Sequence, residues 1–358
     1  MALHFHRLRI KEVRKETPDC VSIAFDIPGE LKKDFQFSHG QSIALRIYDG
    51  EEEVRRSYSI CSSPLEGELR VAIKKVPGGY FSTYANTSLK PGDALDVMSP
   101  SGAFNTVLDP VNIKNYIAFA AGSGITPILS IIKTTLATES SSSFTLVYGN
   151  RNSNSIIFKE ELEALKNIYM ERFILIHVLS RERTESDINY GRIDGDKCLQ
   201  LSRLFKLAEF DEYFLCGPET LIFSVKDYLE SLHIGSKKIH FELFTTPVRK
   251  VQNTTQQVII KGESNSSLIT VKVDGRSFEF PLDADSNNIL DAALAQGADL
   301  PFACKGGVCC TCKARLIEGQ VKMEVNYGLE PDEVEAGFIL TCQAHPLSAK
   351  VVVDFDVK

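Results

Sequence analysis

Four cysteines near the end of the chain carry the clearest chemical signal in this sequence. Cys304, Cys309 and Cys312 form a Cys-x4-Cys-x2-Cys run, and Cys342 follows after a gap of 29 residues. Thiolates at this spacing fit a 2Fe-2S cluster, because three ligands come from one tight loop and the fourth from a neighbouring segment. Two glycines inside the loop allow backbone conformations closed to other residues. The sequence therefore predicts a one-electron centre with these four cysteines as its ligands.

A structural zinc site is the alternative interpretation of the same residues. Cys309 and Cys312 also form a Cys-x2-Cys knuckle of the kind that binds zinc. Zinc sites usually pair two such knuckles, and Cys342 does not belong to a second Cys-x2-Cys knuckle. Cys310 lies between two of the predicted ligands, and the spacing excludes it from the set. These points favour the iron-sulfur interpretation.

Length and composition indicate a multidomain protein of the cytoplasm. The chain has 358 residues, and about 100 to 200 residues per domain predicts two or three domains. No apolar run approaches the roughly 18 residues of a membrane span, and the N-terminal residues do not read as a secretory signal. Nine cysteines, an odd number, favour metal-binding thiolates in a reducing compartment over a disulfide framework.

The acidic charge is concentrated in the part of the chain that holds the four cysteines. Residues 258–358 contain nine Lys or Arg against fifteen Asp or Glu, so they carry -6 of the net charge of -7. A field of one sign can steer a partner of the opposite sign. We therefore expect a redox partner that docks through a basic surface, and neither nucleic acid nor a membrane as a partner. The alternative is that the acidic residues only solvate a surface helix: Glu330, Asp332, Glu333 and Glu335.

The spacing of apolar residues along the chain predicts three domains and a linker. Residues 1–110 alternate apolar and polar positions in short runs, which predicts an antiparallel sheet or small barrel. Residues 111–246 alternate apolar runs with amphipathic segments, which predicts a parallel α/β sheet of the nucleotide-binding type. Residues 247–257 are polar and aperiodic, so we interpret them as a linker to a last domain at 258–358.

Individual elements follow from the same patterns. Strands are predicted over 42–47, 54–60, 68–75 and 94–97, then 116–121, 144–148, 173–179, 213–216 and 239–244, and last 258–260, 269–273, 278–281 and 350–355. Helices are predicted over 79–87, 156–170, 219–232 and 288–296.

A second candidate site lies in the first domain and suits a flavin. Its residues are Arg56, Ser57, Tyr58 and Ser59 on a predicted strand, followed by Gly78, Gly79 and Ser82 at a predicted helix start. An arginine suits a pyrophosphate, an aromatic ring can lie against a flavin, and a helix start offers free amides to phosphate. Alone, a tyrosine on a strand is more often ordinary core. The glycine pair twenty residues further on makes the flavin interpretation stronger.

A third candidate site opens the second domain and suits a nicotinamide dinucleotide. After the first predicted strand come Gly122, Gly124, Thr126 and Pro127 at the start of a helix. Glycines let the backbone approach a pyrophosphate, and the helix N-terminus favours its negative charge. The run departs from the Gly-x-Gly-x-x-Gly fingerprint by ending in proline, which suits a first helical turn. A second group comes after the fourth predicted strand: Cys216, Gly217 and Pro218.

The choice between NADPH and NADH depends on the residues after the third strand of this domain. The second strand ends without a carboxylate for a ribose 2'-hydroxyl, and the third ends in Ser180 and Arg181. A hydroxyl and a guanidinium together suit a 2'-phosphate. The sequence therefore favours NADPH. NADH stays the alternative, because Arg181 beside Glu182 and Arg183 also reads as a solvated loop charge.

Taken together, these motifs resemble the ferredoxin-NADP reductase family, in the form of oxygenase reductase components with a plant-type 2Fe-2S ferredoxin domain at the C-terminus. The resemblance rests on Arg-Ser-Tyr-Ser at 56–59, the glycine-rich turn at 121–127 and CKGGVCCTCKARLIEG at 304–319. It implies an antiparallel β-barrel that binds FAD, an α/β domain that binds NAD(P)H and an α+β ferredoxin domain of the β-grasp type.

The resemblance also implies roles for the candidate residues. Arg56 would bind the FAD pyrophosphate, Tyr58 would pack on the isoalloxazine and Ser59 would approach its N5 atom. Gly79 and Ser82 would hold phosphate.

In the second domain, the same resemblance gives Ser180 and Arg181 the 2'-phosphate. It places Cys216, followed by Gly217 and Pro218, beside the nicotinamide. Tyr58, Ser59 and Cys216 are therefore the candidate catalytic residues.

The order of the three domains predicts an electron-transfer enzyme. Electrons would pass from NADPH to FAD, from FAD to the 2Fe-2S cluster, and on to an oxygenase component. Three alternatives stay open: a general ferredoxin-type reductase or diaphorase, a reductase that serves another oxygenase, and a non-enzymatic redox-sensing module. The intact flavin and nicotinamide motifs speak against the last.

Overall fold

The computed structural model describes residues 4–244, 266–283 and 286–357. The predicted linker at 247–257 and the predicted strand at 258–260 lie outside these residues. The chain divides into two compact units, one over Phe5–Phe244 and the other containing the cysteine-rich segment. Within the described residues, no helix has both the length and the apolar character needed to cross a membrane.

The first segment forms an antiparallel barrel. Its elements are β1 (Phe5–Thr17), β2 (Cys20–Asp26), β3 (Ser42–Asp49), β4 (Glu52–Ser59), β5 (Leu69–Lys74), α1 (Tyr80–Thr87) and β6 (Ala94–Met98). The strands pair in the order β4-β3-β6-β1-β2-β5. A bridge between Ile60 and Val71 joins the two ends of this order, so the sheet closes around a core that includes Leu8, Ile23 and Leu45. The predicted barrel is confirmed.

Strand β1 is not among the strands that the sequence pattern predicts, and its composition explains why. Its sequence FHRLRIKEVRKET carries seven charged residues, which hide the apolar positions that face the core. Leu8 and Ile10 are nevertheless buried, because alternate side chains of a strand point to opposite faces.

The second segment forms a parallel sheet covered by helices. Its elements are β7 (Asn115–Ala121), α2 (Ile125–Thr138), β8 (Ser143–Asn150), α3 (Lys159–Ile168), β9 (Phe173–Leu179), α4 (Gly195–Leu201), β10 (Glu212–Gly217), α5 (Glu219–Ser231) and β11 (Ile239–Leu243). All strands run parallel in the order β11-β10-β7-β8-β9. The predicted helix at 156–170 begins later, at Lys159, because Phe158 adopts a left-handed conformation with φ 60°.

The strand order of this sheet fixes where a ligand can bind. From β7 the chain first adds β8 and β9 on one side and then β10 and β11 on the other. The direction of winding therefore reverses between β7 and β10. In open α/β sheets, ligands bind in the crevice outside the carboxyl ends of the strands at this reversal.

The barrel and the parallel sheet share one hydrophobic cluster. Cys20, Cys61 and Ala72 of the barrel pack in the same buried cluster as Ile128 and Leu129 of α2. This shared core explains why the two predicted domains within residues 5–244 pack as one compact unit.

The cysteine-rich segment forms a mixed sheet with the predicted β-grasp character. Its elements are β12 (Ser266–Val273), β13 (Arg276–Asp283), α6 (Ile289–Ala295), β14 (Lys313–Glu318), β15 (Val321–Met323), α7 (Pro331–Glu335), β16 (Phe338–Leu340), β17 (Ala344–Pro346) and β18 (Lys350–Asp354). The main sheet has the order β13-β12-β18-β14-β16. Strand β18 pairs parallel with β12 and antiparallel with β14, so it occupies the centre of the sheet. Helix α6 buries Ile289, Leu290 and Ala293 in the core of this unit.

Candidate functional site

The predicted flavin residues lie along β4, at the edge of the strand order. Side chains of a strand alternate between its faces, so Arg56 and Tyr58 share one face and Ser57 and Ser59 the other. Arg56 is exposed. The Tyr58 ring is half-buried with its centroid 5.5 Å from that of Phe81 on α1, and burial raises the pKa of its phenol.

The predicted phosphate site lies at the N-terminus of α1. Gly78 has φ +75°, a left-handed conformation that favours glycine, and Gly79 precedes the first helical residue. The Ser82 hydroxyl accepts a hydrogen bond from the Val76 amide at 3.0 Å and donates one to the Gly79 carbonyl at 3.2 Å. Ser82 therefore holds the turn that leads into the helix, and the free amides of the first turn are left to face an anion.

The glycine-rich turn after β7 packs directly on the end of β10. Gly122 has φ +54° and accepts a hydrogen bond at its carbonyl from the Tyr148 hydroxyl at 2.9 Å. A Cβ on Gly124 would lie 2.1 Å from the Cys216 carbonyl oxygen, which no side chain can occupy. This contact brings the two predicted nicotinamide groups together at the reversal point of the sheet.

The start of α2 is ordered by its own side chains. The Thr126 hydroxyl donates to the Ser123 carbonyl at 3.0 Å, and Pro127 is buried in the first turn, where its missing N–H costs no helical hydrogen bond. Gly217 packs against the end of β7, since a Cβ at this position would lie only 3.2 Å from the Ala121 nitrogen. Pro218 then caps α5.

A hydrogen bond joins the barrel to the parallel sheet through the strand next to β10. The Ser59 hydroxyl donates a hydrogen bond to Oε2 of Glu242 at 2.8 Å. Glu242 lies on β11 directly opposite Cys216 of β10 in the parallel register. Ser59, predicted to serve the flavin, thus hydrogen-bonds to the residue that pairs across the strands with Cys216, predicted to serve the nicotinamide.

Glu242 was missed by the sequence reasoning. Burial raises the pKa of its carboxyl to about 7, and the hydrogen bond from Ser59 offsets part of that effect. A carboxyl that titrates near neutrality can hold or release a proton at physiological pH. Its sequence signal is a single acidic residue inside the apolar run IHFELF, which does not stand out without the strand pairing.

Lys74 is a second residue that the sequence reasoning missed. It is the last residue of β5, and its ammonium lies 3.7 Å from the ideal Cβ position of Gly122. Asp19 is its acidic neighbour, with an Oδ2–Nζ distance of 3.8 Å. Because Lys74 comes from the barrel and Gly122 from the parallel sheet, the barrel places a positive charge beside the dinucleotide turn.

Ser180 and Arg181 extend the pairing of β8 and β9 beyond their carboxyl ends. The Ser180 amide donates to the Asn150 carbonyl at 2.9 Å, and the Arg181 amide donates to the Arg151 carbonyl at 2.8 Å. Both arginines are exposed. Glu182 points instead to Ser153, whose amide donates to its carboxylate at 2.8 Å. Two guanidinium-bearing residues therefore lie side by side at the edge where a 2'-phosphate was predicted.

The four cysteines of the predicted cluster approach one another as two pairs. The sulfurs of Cys304 and Cys309 are 3.1 Å apart, and the thiols of Cys312 and Cys342 hydrogen-bond to each other. Among the described residues, no group of three or more His, Cys, Asp or Glu is gathered around a single metal position. Two pairs suit two irons that are each held by two thiolates, whereas a zinc site would need all four around one ion.

The loop backbone is shaped to face these sulfurs. The Gly306 amide donates to the Cys304 sulfur at 3.3 Å. Gly307 has φ +72°, and a Cβ there would lie 2.8 Å from the Val325 carbonyl oxygen. The Cys309 contact and the loop amides lower the pKa of the Cys304 thiol. The donor set therefore fits a 2Fe-2S cluster.

The predicted acidic surface helix is α7, and its charges are partly paired. The Glu333 carboxylate accepts a hydrogen bond from Lys313 at 2.8 Å and another from the Glu330 amide at 2.9 Å. Asp332 and Glu335 are exposed. Part of this acidic surface thus serves the local structure, and part faces solvent.

Three protein-family models match successive parts of the chain. The oxidoreductase FAD-binding domain matches residues 7–106, the oxidoreductase NAD-binding domain residues 119–227, and the 2Fe-2S iron-sulfur cluster binding domain residues 271–347. These ranges contain the β4 residues, the turn after β7 and the four cysteines. The protein therefore uses FAD, a nicotinamide dinucleotide and a 2Fe-2S cluster.

Similar proteins cover the whole chain. A 1,2-phenylacetyl-CoA epoxidase subunit from Escherichia coli (strain K12) is 46% identical, over 99% of this chain and 98% of that protein. The ferredoxin reductase component of 3-ketosteroid-9-alpha-monooxygenase from Rhodococcus rhodochrous is 33% identical, over 97% of this chain and 96% of that protein. Among solved structures, phthalate dioxygenase reductase aligns over 98% of both chains with a TM-score of 0.58 and 24% identity, which supports the fold.

Proposed function

Because this chain belongs to the ferredoxin-NADP-reductase-type family of oxygenase reductase components with a 2Fe-2S domain, we propose that it carries electrons from NADPH to an epoxidase of the phenylacetyl-CoA type. As a member of that family it is an NAD(P)H-dependent oxidoreductase. The whole-length similarity to the Escherichia coli epoxidase polypeptide carries the proposal of the acceptor.

The residues at the junction of the two sheets would form the hydride-transfer site. When bound, FAD supplies the conversion of a two-electron hydride transfer into the single-electron transfers that a 2Fe-2S cluster accepts. Tyr58 would support the flavin ring, and Ser59 would orient its reactive edge. Cys216, which is fully buried, would exclude water from the face where the nicotinamide binds. Glu242 would hold a proton within reach of the Ser59 hydroxyl.

Backbone groups and basic side chains would bind the phosphates. The first turn of α1 and Arg56 would hold the FAD pyrophosphate, with Ser57 and Gly78 shaping that site. The turn at Gly122 and Gly124 would hold the dinucleotide pyrophosphate. Ser180 and Arg181 would bind the 2'-phosphate, and this pair supports NADPH over NADH.

The cysteine-rich unit would receive electrons and pass them on. Cys304, Cys309, Cys312 and Cys342 would ligate the cluster, since their two-pair arrangement suits two irons. The exposed acids of α7 would face a basic surface on the oxygenase component, because opposite charges steer two proteins together. We further propose a cytoplasmic protein that acts without nucleic acid or a membrane as a partner.

An anaerobic titration tests the donor, the flavin and the cluster together. NADPH should bleach the flavin absorbance first, and the reduced cluster should then give a paramagnetic signal. NADH should do the same only at much higher concentration. The proposal fails if NADPH bleaches no flavin, or if the protein contains no acid-labile sulfide.

The acceptor requires a separate measurement. Added oxygenase component of a phenylacetyl-CoA epoxidase should consume NADPH in step with epoxide formation. If cytochrome c is reduced at a normal rate but the oxygenase yields no product, the protein is a general ferredoxin-type reductase or serves another oxygenase.

A further inference from the structure

A buried lysine joins the barrel to the parallel-sheet segment. Lys133 lies on α2, and its side chain is only 12% exposed. Its ammonium is 2.5 Å from Oε1 of Glu66, in the barrel loop after β4, and 2.6 Å from Oε1 of Glu161 on α3. One cation thus pairs with one carboxylate of the barrel and with one of the parallel-sheet segment.

Hydroxyl groups near Lys133 add hydrogen bonds between the same barrel loop and α2. Together with the Lys133–Glu66 ion pair, these contacts are called the seam. The Ser63 and Thr134 hydroxyls share a hydrogen bond of 2.9 Å, and the Ser130 hydroxyl donates to the Ser62 carbonyl at 2.6 Å. All four of these residues are buried. A buried hydrogen bond is strongly directional and costly to break, so the seam holds the loop and the helix in one relative position.

The loop that carries Glu66 is itself rigid. Ser63 begins a short helical turn, and its amide donates to Oε2 of Glu66 at 2.8 Å while its hydroxyl accepts from the Leu65 amide. Glu66 therefore uses one carboxylate oxygen to close its own loop and the other to bind Lys133.

The seam joins a loop and a helix, and each of these is continuous in the chain with one half of the proposed hydride-transfer site. The loop comes directly after β4, which carries Tyr58 and Ser59. Lys133 lies nine residues after Gly124, or about 14 Å along the helix from that turn at a rise of 1.5 Å per residue. A displacement at the seam would therefore move the start of α2 relative to β4.

We propose that Lys133, through its ion pair with Glu66, is a positioning residue that sets the distance between the bound nicotinamide and the flavin. This inference rests on the proposed reduction of FAD by NADPH. Lys133 does not touch either reacting ring. It acts by fixing α2 against the barrel, and a misplacement of about 1 Å between reacting groups can lower a rate by as much as about 100-fold.

The two carboxylates offer a matched pair of variants. Glu66→Gln weakens the pair that crosses between the barrel and the parallel-sheet segment, and its amide oxygen can still accept from the Ser63 amide. Glu161→Gln weakens the pair with the same ammonium inside the parallel-sheet segment. Both variants lose one charge beside Lys133. If Lys133 only stabilised the fold, both variants would therefore change the rate of flavin reduction equally.

The measurement is the anaerobic stopped-flow reduction of the flavin by NADPH in the full-length holoprotein. For Glu66→Gln we expect the limiting rate at saturating NADPH to fall about tenfold, while the NADP+ dissociation constant and the FAD content stay within about twofold. For Glu161→Gln we expect a limiting rate within about twofold of the wild type. The double variant Ser63→Ala, Thr134→Val should slow the limiting rate in the same way as Glu66→Gln.

Three results would overturn the inference. They are an unchanged limiting rate in Glu66→Gln, an equal loss of rate in Glu66→Gln and Glu161→Gln, or a loss that follows the loss of FAD. A wild-type protein whose flavin is not reduced by NADPH would instead contradict the proposed function itself, so the two failures are distinguishable.

Discussion

Ser59 and Glu242 lie 183 positions apart in the chain, yet the serine hydroxyl donates to the glutamate carboxylate at 2.8 Å. The serine is the last residue of β4 in the barrel, and the glutamate lies on the last strand of the parallel sheet. Their hydrogen bond crosses the junction at which hydride transfer is proposed. The protonation state of the Glu242 carboxyl therefore affects both halves of the proposed site.

The Glu242 carboxyl should make stability depend on pH. Burial raises its folded-state pKa from 4.5 to about 7, so the folded state binds a proton more tightly than the unfolded state does. The resulting stabilisation is fully present below pH 4.5 and is lost as pH rises through about 7.

Thermal unfolding of the wild type and of Glu242→Gln across this range checks the prediction. The variant should lose less stability than the wild type as pH rises. In Ser59→Ala the carboxyl loses a hydrogen bond to its charged form, and its pKa should rise further. Parallel profiles for wild type and Glu242→Gln would contradict the assignment.

Replacing a cluster ligand should remove the metal but leave the flavin. In Cys342→Ser we expect most of the iron and acid-labile sulfide to be lost, because a hydroxyl does not replace a thiolate in such a cluster. The FAD content and the NADPH-dependent reduction of ferricyanide should persist, while cytochrome c reduction falls. In Cys310→Ser, the matched control, iron and sulfide should stay at wild-type levels.

Gly124→Ala should disrupt the turn at the end of β7. Its Cβ would meet the Cys216 carbonyl oxygen at 2.1 Å, and relief of this clash would require a shift of buried strand β10 or of the buried start of α2. We expect a loss of about 3 kcal/mol in the free energy of unfolding, measured by urea denaturation. Gly235 has open space around it, so Gly235→Ala should change the free energy by less than about 0.5 kcal/mol.

Arg181→Gln should change the preference between the two nicotinamide donors. A charge-assisted hydrogen bond contributes about 1.5 to 3 kcal/mol, so the KM for NADPH should rise about tenfold or more while the KM for NADH changes little. Arg183 is a suitable control, since its guanidinium lies 4.7 Å above the Tyr190 ring. An equal effect of Arg181→Gln on both donors would contradict a role in binding the 2'-phosphate.

Lys74→Met should weaken both donors equally, in contrast to Arg181→Gln. The Lys74 ammonium lies beside Gly122, where the pyrophosphate common to NADPH and NADH is proposed to bind. We expect both KM values to rise about tenfold at low salt, and the difference from wild type to shrink as salt screens the charge. Lys75 is exposed on the neighbouring position, and Lys75→Met should leave both KM values near those of the wild type.

Local sequence patterns predicted most of the fold. Strands such as Phe173–Leu179 appear where apolar runs predicted them, and the antiparallel, parallel and mixed sheets succeed one another as expected. These features depend on residues near one another in the chain. The left-handed Phe158 could not be predicted, because a bulky aromatic residue rarely adopts a positive φ and its type gives no sign of one.

The residues of the candidate site also fall into two groups: those that a local sequence pattern marks and those that it does not. The cysteine spacing and the glycine-rich turn are local, so the sequence predicted them. Glu242 and Lys74 gain their importance from partners on other sheets, and no local pattern marks either residue. Ser82 is predicted to hold phosphate, and its hydroxyl also makes hydrogen bonds to Val76 and Gly79, which composition alone does not reveal.

The central place of β18 has a consequence for how the protein is made. Without β18, the third sheet separates into the β13-β12 and β14-β16 pairs, and an isolated two-stranded pair is only marginally stable in water. The cysteine-bearing loop leaves the ribosome before β18 does. The sheet that supports the cysteine-bearing loop is therefore complete only after β18 has been synthesised and has paired with β12 and β14.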